Sequence, residues 1–226
     1  MYRQINVGTL FVYTYVCNTI FIQTNKTMKT NLKIIFTAFA VIGFLTSFTL
    51  ALKTTMKVDT KKSTITWTGK KVTGEHTGNI TIKEGSLEVD GNKLTGGNFV
   101  IDMNTITCTD LEDKEYNGKL VGHLNSDDFF GVEKHKEAKL LIKSVSQKDK
   151  NKVEITGDLT IKGKTLPITF PATVETDGKT FNATAKIEVD RTKYDIKYGS
   201  GSFFDNLGDK AIDNIFTLDV VLVAAK

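Results

Sequence analysis

The segment His-Leu-Asn-Ser-Asp-Asp-Phe-Phe, residues 123–130, brings together residue types that acid–base and metal chemistry use. A histidine such as His123 can transfer a proton or bind a metal near neutral pH, and Asp127 or Asp128 can supply a carboxylate partner. Two interpretations are therefore chemical, a catalytic acid–base group or half of a metal site. The third is structural, with the segment acting as a polar plug or lid.

The chemical interpretations need further residues. A zinc site requires three or four converging ligands, and histidine ligands on one helix are typically four residues apart. His76 and His135 do not stand at that spacing from His123, and no nucleophile is evident beside the segment. Asn, Ser and Asp are common at helix ends and turns, where they bond to backbone N–H groups. The composition favours a plug or lid, and we expect no metal site and no catalytic residue.

A secretory signal peptide is predicted at residues 28–51. It begins with a basic region, continues through the apolar run 34–45 and ends in the small-residue pattern Thr-Leu-Ala at Ala51. This order is typical of a cleavable leader, and the run is too short and too rich in threonine for a membrane span. We expect cleavage near Ala51 and a periplasmic or secreted domain at residues 52–226, with no integral membrane segment.

Residues 1–27 precede a leader that has its own Met28. We interpret them as an upstream extension that arises from a misplaced start site. The alternative is a second apolar anchor over residues 5–22, but Asn6 and Asn18 interrupt that run.

The leader carries all the excess charge. The chain has 30 Lys and Arg against 26 Asp and Glu, and residues 1–51 hold four basic residues and no acidic ones, so 26 of each sign remain in residues 52–226. A neutral domain with interspersed charges has no electrostatic footprint for nucleic acid or an anionic membrane. Cys108 is the only cysteine after residue 51, which excludes an intramolecular disulfide there. It is either a reactive thiol or, as we favour, an ordinary loop residue.

Alternating apolar and polar residues dominate the second half of the chain, most regularly in residues 152–161, 165–176, 181–189 and 216–224. Such alternation predicts antiparallel strands with one solvated face. Less regular runs predict further strands at residues 64–68, 78–83, 86–90, 94–103 and 138–147.

Glycine turns connect several of these runs, as at residues 90–92, 162–164 and 177–179. Hairpins in series favour an up-and-down meander, and about eight such strands can close into a barrel without exposed edges. Pro167 and Pro171 lie in one predicted strand, which should therefore lie at an edge, a bulge or a poorly sealed seam. The fold class is thus all-β, an antiparallel up-and-down, lipocalin-like barrel.

Two features of the sequence bear on whether the barrel is solid or encloses a cavity. Residues 110–138 lack strand alternation, and residues 119–125 look helical, so we expect a short helical insertion that serves as a lid. The inward rows also contain small residues: Gly157, Ala172, Ala183, Ala185 and Ala224. Small residues leave a cavity unless large partners face them across the lumen, and the sequence leaves both outcomes open.

Six segments, in order, resemble the YceI-like family: residues 66–80, 98–106, 123–130, 157–171, 189–201 and 213–224. The resemblance covers roughly residues 57–226. It implies an exported, lipocalin-like barrel whose tunnel takes up a polyisoprenoid or quinone-like chain, without enzymatic activity and without a cofactor other than this amphiphilic lipid. It also allows a homodimer.

The resemblance implies lumen contacts by apolar residues in the matching segments: Trp67, Phe99, Ile101, Leu124, Phe129, Phe130, Leu159, Phe170 and Phe181. These could equally be ordinary core residues. At the tunnel mouth, Arg191 could bind a head group with Tyr194 beside it, although a structural ion pair of Arg191 with Asp190 or Asp195 is favoured.

The sequence therefore predicts a protein that binds, carries or sequesters a long apolar lipid. One alternative is a hydrolase or isomerase that uses His123 with Asp127 or Asp128. Another is a ligand-free barrel that acts as a protein-interaction module.

Overall fold

The computed structural model describes residues 53–226, and the predicted upstream extension and signal peptide lie outside this range. The strands of the described part are β1 Lys53–Val58, β2 Thr64–Lys71, β3 Gly74–Asp90, β4 Lys93–Asp102, β5 Glu137–Gln147, β6 Lys152–Ile161, β7 Lys164–Thr176, β8 Thr180–Asp190 and β9 Ile215–Ala225. Within residues 53–226 one α-helix, α1, spans Lys114–Asn125, and 3₁₀ turns occur at Met103–Thr105, Arg191–Tyr194 and Gly208–Lys210.

Strands β2 to β9 form a closed, antiparallel, up-and-down barrel. Each strand pairs with the next in the chain, as tight turns between strands dictate. The sheet closes where Thr64–Thr68 of β2 pair with Thr217–Val221 of β9. The predicted all-β, lipocalin-like barrel of about eight strands with one helical insertion is confirmed.

Strand β1 extends the closure to the other end of the barrel. It pairs with residues 86–90 of β3, and Lys57 and Val58 also pair with the end of β9. The sequence pattern does not predict β1, and it predicts β3 as two separate runs. Strand β3 is continuous, but its pairing with β4 shifts register twice, at Ile82/Glu84 and at Glu88/Val89. A bulge reverses the inward and outward faces, which disturbs the alternation that the sequence analysis relied on.

The alternating runs have one buried face, as predicted. On β6, every second residue from Val153 to Ile161 is buried, and the residues that alternate with them are partly exposed. Because successive side chains of a strand point to opposite faces, this pattern in every strand lines the inside of the barrel with apolar residues.

The barrel has one weak seam. Strands β7 and β8 pair only between residues 172–176 and 181–185. Residues 164–171 of β7 pair with β6 alone. Pro167 and Pro171 lie in this half-paired stretch and are exposed. Proline has no N–H to donate to a neighbouring strand, so the predicted seam is confirmed. No helix within residues 53–226 has the length and apolarity to cross a membrane.

An extended segment after β4 lies against β3. The backbone N–H of Thr107 donates to Asn79 O at 3.0 Å, and that of Thr109 donates to Thr77 O at 2.9 Å. Gly78 lies between these two bonds, and a Cβ atom there would fall 1.7 Å from Thr107 O. Only glycine permits this approach of the two backbones.

We predict that Gly78→Ala lowers the free energy of unfolding by at least about 1–3 kcal/mol, because the new methyl group must push the segment around Thr107 away from β3. Urea unfolding measures the loss. Gly69→Ala on β2 is the matched control, since a Cβ atom at Gly69 meets no atom within 4 Å. Equal stability of the two variants would contradict the close approach.

Candidate functional site

The inside of the barrel is incompletely filled. A first cavity of about 140 Å³, here called the lid cavity, is lined by Trp67, Leu124, Phe129, Phe130 and further apolar residues, with Lys70, Arg191 and Asp213 as its charged neighbours. A second cavity of about 110 Å³, the inner cavity, is lined by residues such as Leu94, Phe99, Phe170 and Leu222, with Thr184 as its single polar neighbour. Each compares with an engineered apolar cavity of about 150 Å³ that binds benzene.

The two cavities lie end to end. Ile65, Ile101, Leu159 and Leu218 line both, so they form the boundary. Along β9, Ile215 and Phe216 line the lid cavity, whereas Val220 and Leu222 line the inner one. At about 3.4 Å per residue, Ile215 to Leu222 spans about 24 Å of strand. The empty space is therefore long and narrow, a shape that suits an extended chain.

The small inward residues have two different roles. Ala172, Ala183 and Ala185 line the inner cavity and leave space. Gly157 instead allows β6 to approach β5, because a Cβ atom there would lie 2.5 Å from Leu141 O. Ala224 is fully buried and lines neither cavity. The question that the sequence left open is thus resolved in favour of a cavity beside the three alanines.

Eight of the nine predicted lumen residues line the cavities. Trp67, Leu124, Phe129 and Phe130 line the lid cavity, Phe99 and Phe170 line the inner cavity, and Ile101 and Leu159 line both. Phe181 is fully buried among core residues and lines neither. Four further isoleucines line the lid cavity without having been predicted: Ile80, Ile106, Ile212 and Ile215. Ile80 lies in a strand whose alternation contains the signal. Ile215 has the opposite parity to the inward row that begins at Phe216, and Ile106 and Ile212 lie in irregular segments, so the pattern carries no signal for these three.

One end of the lumen is covered by a lid, which we define as α1 and the turn at residues 126–135. The helix begins at Lys114, five residues before the predicted start, because the Asp113 carboxylate caps it by accepting from the N–H groups of Glu115 and Tyr116. None of its residues is fully buried. Leu124 and the Phe129-Phe130 pair reach the lumen from the lid.

The polar residues of the lid do not converge on a reaction centre. His123 Nε2 lies 3.2 Å from Asp128 Oδ2, and its ring packs edge-on against Phe129 and Tyr198, with ring centroids 4.9 and 4.6 Å away. Asp127 instead forms an ion pair with Lys134 at 2.6 Å.

The hydrogen bond and charge of Lys134 hold the pKa of Asp127 below its ordinary value. The Asp127 backbone carbonyl accepts from Lys162 Nζ at 2.6 Å, which fastens the lid to the turn between β6 and β7. This arrangement fits the predicted structural lid.

Arg191 is buried and bonded to backbone rather than to a carboxylate. Its guanidinium donates to the carbonyl oxygens of Asp213 at 2.8 Å, Ile196 at 2.9 Å, Tyr198 at 2.8 Å and Ile212 at 2.9 Å. Burial lowers its pKa, although the charges of Asp190 and Asp213 act in the opposite direction.

The favoured ion pair of Arg191 is not observed among the described residues. There Asp190 pairs with Lys193, and Asp195 pairs with Lys164 and Lys197. Arg191 joins the start of β9 to the preceding loop, so its donors are largely used. Tyr194 is buried, which raises its pKa, and it lines neither cavity.

An eight-stranded up-and-down barrel with an apolar lumen under a helical lid defines a lipocalin-like class of fold. A comparison with family models matches residues 56–224 to the YceI-like domain. The match covers most of the chain, and the chain belongs to the YceI-like family.

Curated relatives match over shorter segments. A UPF0312 protein of Pseudomonas putida strain W619 is 37% identical over 75 residues, which are 30% of this chain and 39% of the relative. A UPF0312 protein of Shewanella denitrificans is 32% identical over 96 residues, 42% of this chain and 48% of the relative. The matched segments thus span less than half the length of these relatives.

Two solved structures share the fold. BcnA of Burkholderia cenocepacia superimposes with a TM-score of 0.60 at 24% identity, over 74% of this chain and 99% of that one. A polyisoprenoid-binding domain from Saccharophagus degradans gives 0.58 at 15% identity, over 75% and 97%. At these identities the likeness establishes the barrel architecture.

We predict that Arg191→Lys lowers the free energy of unfolding by about 2–4 kcal/mol, because one ammonium group cannot satisfy four carbonyl oxygens and leaves some of them buried without a donor. Thermal or urea unfolding measures the loss. Lys193→Gln, an exposed change two residues away, should stay within about 0.5 kcal/mol of the parent. A stable Arg191→Lys protein would return Arg191 to the set of head-group candidates.

Proposed function

We propose that this protein binds a long, flexible apolar lipid in its barrel and carries or sequesters it outside the cytoplasm. The observation that carries the proposal is the pair of adjoining, almost entirely apolar cavities along the lumen. Cavities with this lining exclude water and favour hydrocarbon. A cavity that served only packing would be unfavourable, since each lost contact lowers stability.

The energy of binding comes from burying the chain. Each methylene moved from water into an apolar lumen contributes about 0.8 kcal/mol. Two cavities of about 140 and 110 Å³ accommodate a thin chain better than a ring system. A ligand longer than the present space must displace side chains. Leu124 belongs to α1, which has no buried residue, and Phe129 and Phe130 lie in the turn that follows it.

The ligand we favour is a polyisoprenoid or a quinone with such a tail. Support comes from the family assignment and from the structural neighbour described as a polyisoprenoid-binding domain. Lys70 is the better candidate for a polar head group, because it lines the lid cavity, is exposed and has only a surface ion pair with Glu75. Arg191 has committed its donors to backbone carbonyls.

We propose no catalytic role for the lid. His123 contacts Asp128 and two aromatic rings, whereas Asp127 pairs with Lys134. His123, Asp127 and Asp128 therefore do not form a catalytic group directed into the lumen. An enzyme that used His123 would lose turnover on His123→Ala, whereas a binding protein would retain its ligand.

Mass spectrometry of the organic extract from natively produced, detergent-free protein tests the proposal directly. A stoichiometric isoprenoid or quinone supports it. A phospholipid or fatty acid would keep the lipid-binding barrel and replace the ligand class. Protein that yields no lipid and binds none in titration would overturn the proposal in favour of a protein-interaction module.

We predict that Ala183→Phe weakens binding of geranylgeraniol at least about tenfold, because the ring occupies the inner cavity and excludes at least two methylenes, worth about 1.6 kcal/mol. Binding of the shorter geraniol, which needs less of the lumen beyond the lid cavity, should be weakened less. Trp67 is the only tryptophan and lines the lid cavity, so its fluorescence reports both titrations.

The matched control is Asn182→Phe, which adds the same ring on the outer face of β8. It should bind both prenols like the parent. Equal weakening by the two variants, or no weakening by Ala183→Phe, would show that the chain does not occupy the inner cavity.

The proposed location outside the cytoplasm makes a separate prediction. The exported protein should begin near Leu52, immediately after the Thr-Leu-Ala pattern at residues 49–51. Intact-mass and N-terminal peptide analysis of the native protein measure this end. A cytoplasmic protein that retains residues 28–51 would contradict export, and any peptide from residues 1–27 would show that the upstream extension is translated.

A further inference from the structure

Three metal-binding side chains meet outside the lumen. His76 Nδ1 lies 2.8 Å from Asp110 Oδ2, and Cys108 Sγ lies 3.2 Å from Asp110 Oδ1. One ligand atom from each of the three residues lies within 4.8 Å of the others. An imidazole, a thiol and a carboxylate in such proximity form the ligand set of zinc rather than of calcium or magnesium, which prefer oxygen alone.

The backbone holds these residues in place. Cys108 and Asp110 belong to the segment that lies against β3, and His76 belongs to β3 itself. The N–H of Thr77 donates to Asp110 Oδ1 at 2.8 Å, which orients the carboxylate as an outer-sphere donor does in metal sites. The close approach at Gly78 keeps the two backbones together. The cluster therefore does not depend on long, mobile side chains.

The distances suit a small tetrahedral ion. Bonds of about 2.0–2.3 Å at tetrahedral angles place ligand atoms about 3.3–3.5 Å apart. The separations of 2.8 and 3.2 Å, which involve the two different oxygens of Asp110, need to widen by about 0.3–0.5 Å. The most widely separated ligand atoms, which lie within 4.8 Å of one another, need to approach the ion. Access is available, because the His76 and Asp110 side chains are 32% and 29% exposed, while Cys108 forms the buried floor.

We propose that His76, Cys108 and Asp110 bind one zinc-class divalent transition-metal ion, with a fourth position open to water. This replaces the expectation from sequence that the chain has no metal site. The ion would join the segment at residues 105–110 to β3. Asn117 of α1 donates to Cys108 O at 2.9 Å and to Leu111 O at 3.0 Å, so the same ion would also stiffen the base of the lid. The proposal is independent of the lumen ligand.

Cobalt(II) is the probe, because a cobalt–thiolate bond gives a charge-transfer band in the near ultraviolet that oxygen and nitrogen ligands do not give. The experiment uses the reduced full chain with Cys17→Ser, which leaves Cys108 as the only thiol. We expect a thiolate band that saturates at one equivalent of Co²⁺, is bleached by Zn²⁺, and accompanies a rise in the thermal midpoint.

The variants separate this site from adventitious binding. In the same background, Cys108→Ser should abolish the band, and His76→Asn and Asp110→Asn should each weaken binding at least about tenfold, because loss of an outer-sphere partner alone costs about 10–100-fold. His123→Ala is the matched control, since it removes the other described histidine–aspartate pair and should leave the titration unchanged.

Circular dichroism without metal establishes that each variant is folded. If Cys108→Ser does not fold, the His76→Asn titration decides. Absence of the band in the parent would overturn the proposal, as would a band or a thermal shift that persists undiminished in folded His76→Asn protein.

Discussion

Closure of the sheet is the constraint on which the rest of the structure depends. Strand β9 pairs with β2, and near its C-terminal end it pairs with β1. The sheet therefore has no open edge between its first and last strands. Once the sheet is closed, each inward side chain faces a common lumen rather than a second layer, and its size determines whether that lumen is filled. Strand β3 serves both halves, because its early residues pair with β2 and its late ones with β1. The two register shifts let one strand bend around the barrel while each half stays paired.

The closed sheet also explains why small inward residues create a cavity at some positions along the barrel and not at others. Where β5 and β6 approach each other at a bulge, the carbonyl oxygen of Leu141 occupies the position that a side chain at Gly157 would need. The small size of Gly157 therefore leaves no cavity. Near the end of the short β7–β8 ladder, Ala172, Ala183 and Ala185 line the inner cavity, and space remains beside them. A closed barrel can hold such a cavity because its backbone hydrogen bonds do not depend on core contacts. The packing energy lost at the cavity is offset by the contacts of the apolar core along the rest of the strands.

Strict alternation made much of the fold predictable, and its absence marks what was missed. Strand β6 was predicted with its observed bounds, because every second residue is apolar and no bulge interrupts it. Strand β1 is short and polar, and β3 changes face at the register shift after Ile82, so neither carries a continuous signal. The lumen aromatics were predictable from the alternation of apolar residues and from the family resemblance.

The His76–Cys108–Asp110 cluster was not predictable, because its histidine is more than thirty residues from its partners. Only the contact of two backbone segments brings the three residues together. The hydrogen bonds of Arg191 could not be predicted by matching it with a nearby acidic residue, because its acceptors are backbone carbonyls, which have no sequence signature.

Differences in local stability indicate where the lumen opens. Strands β8 and β9 pair along the whole of β8, so parting them would break a continuous ladder. The seam between β7 and β8 has a shorter ladder, but the buried Phe170 and Ile187 cover it from inside. The lid has less support: α1 has no buried residue, the turn that follows it buries only Phe129, Gly131 and Val132, and exposed pairs such as Lys134 with Asp127 contribute little. Segments with few buried contacts open at the lowest free energy. The lid is therefore the end that yields first, and a chain entering there meets Trp67 and Phe130 before it reaches the inner cavity.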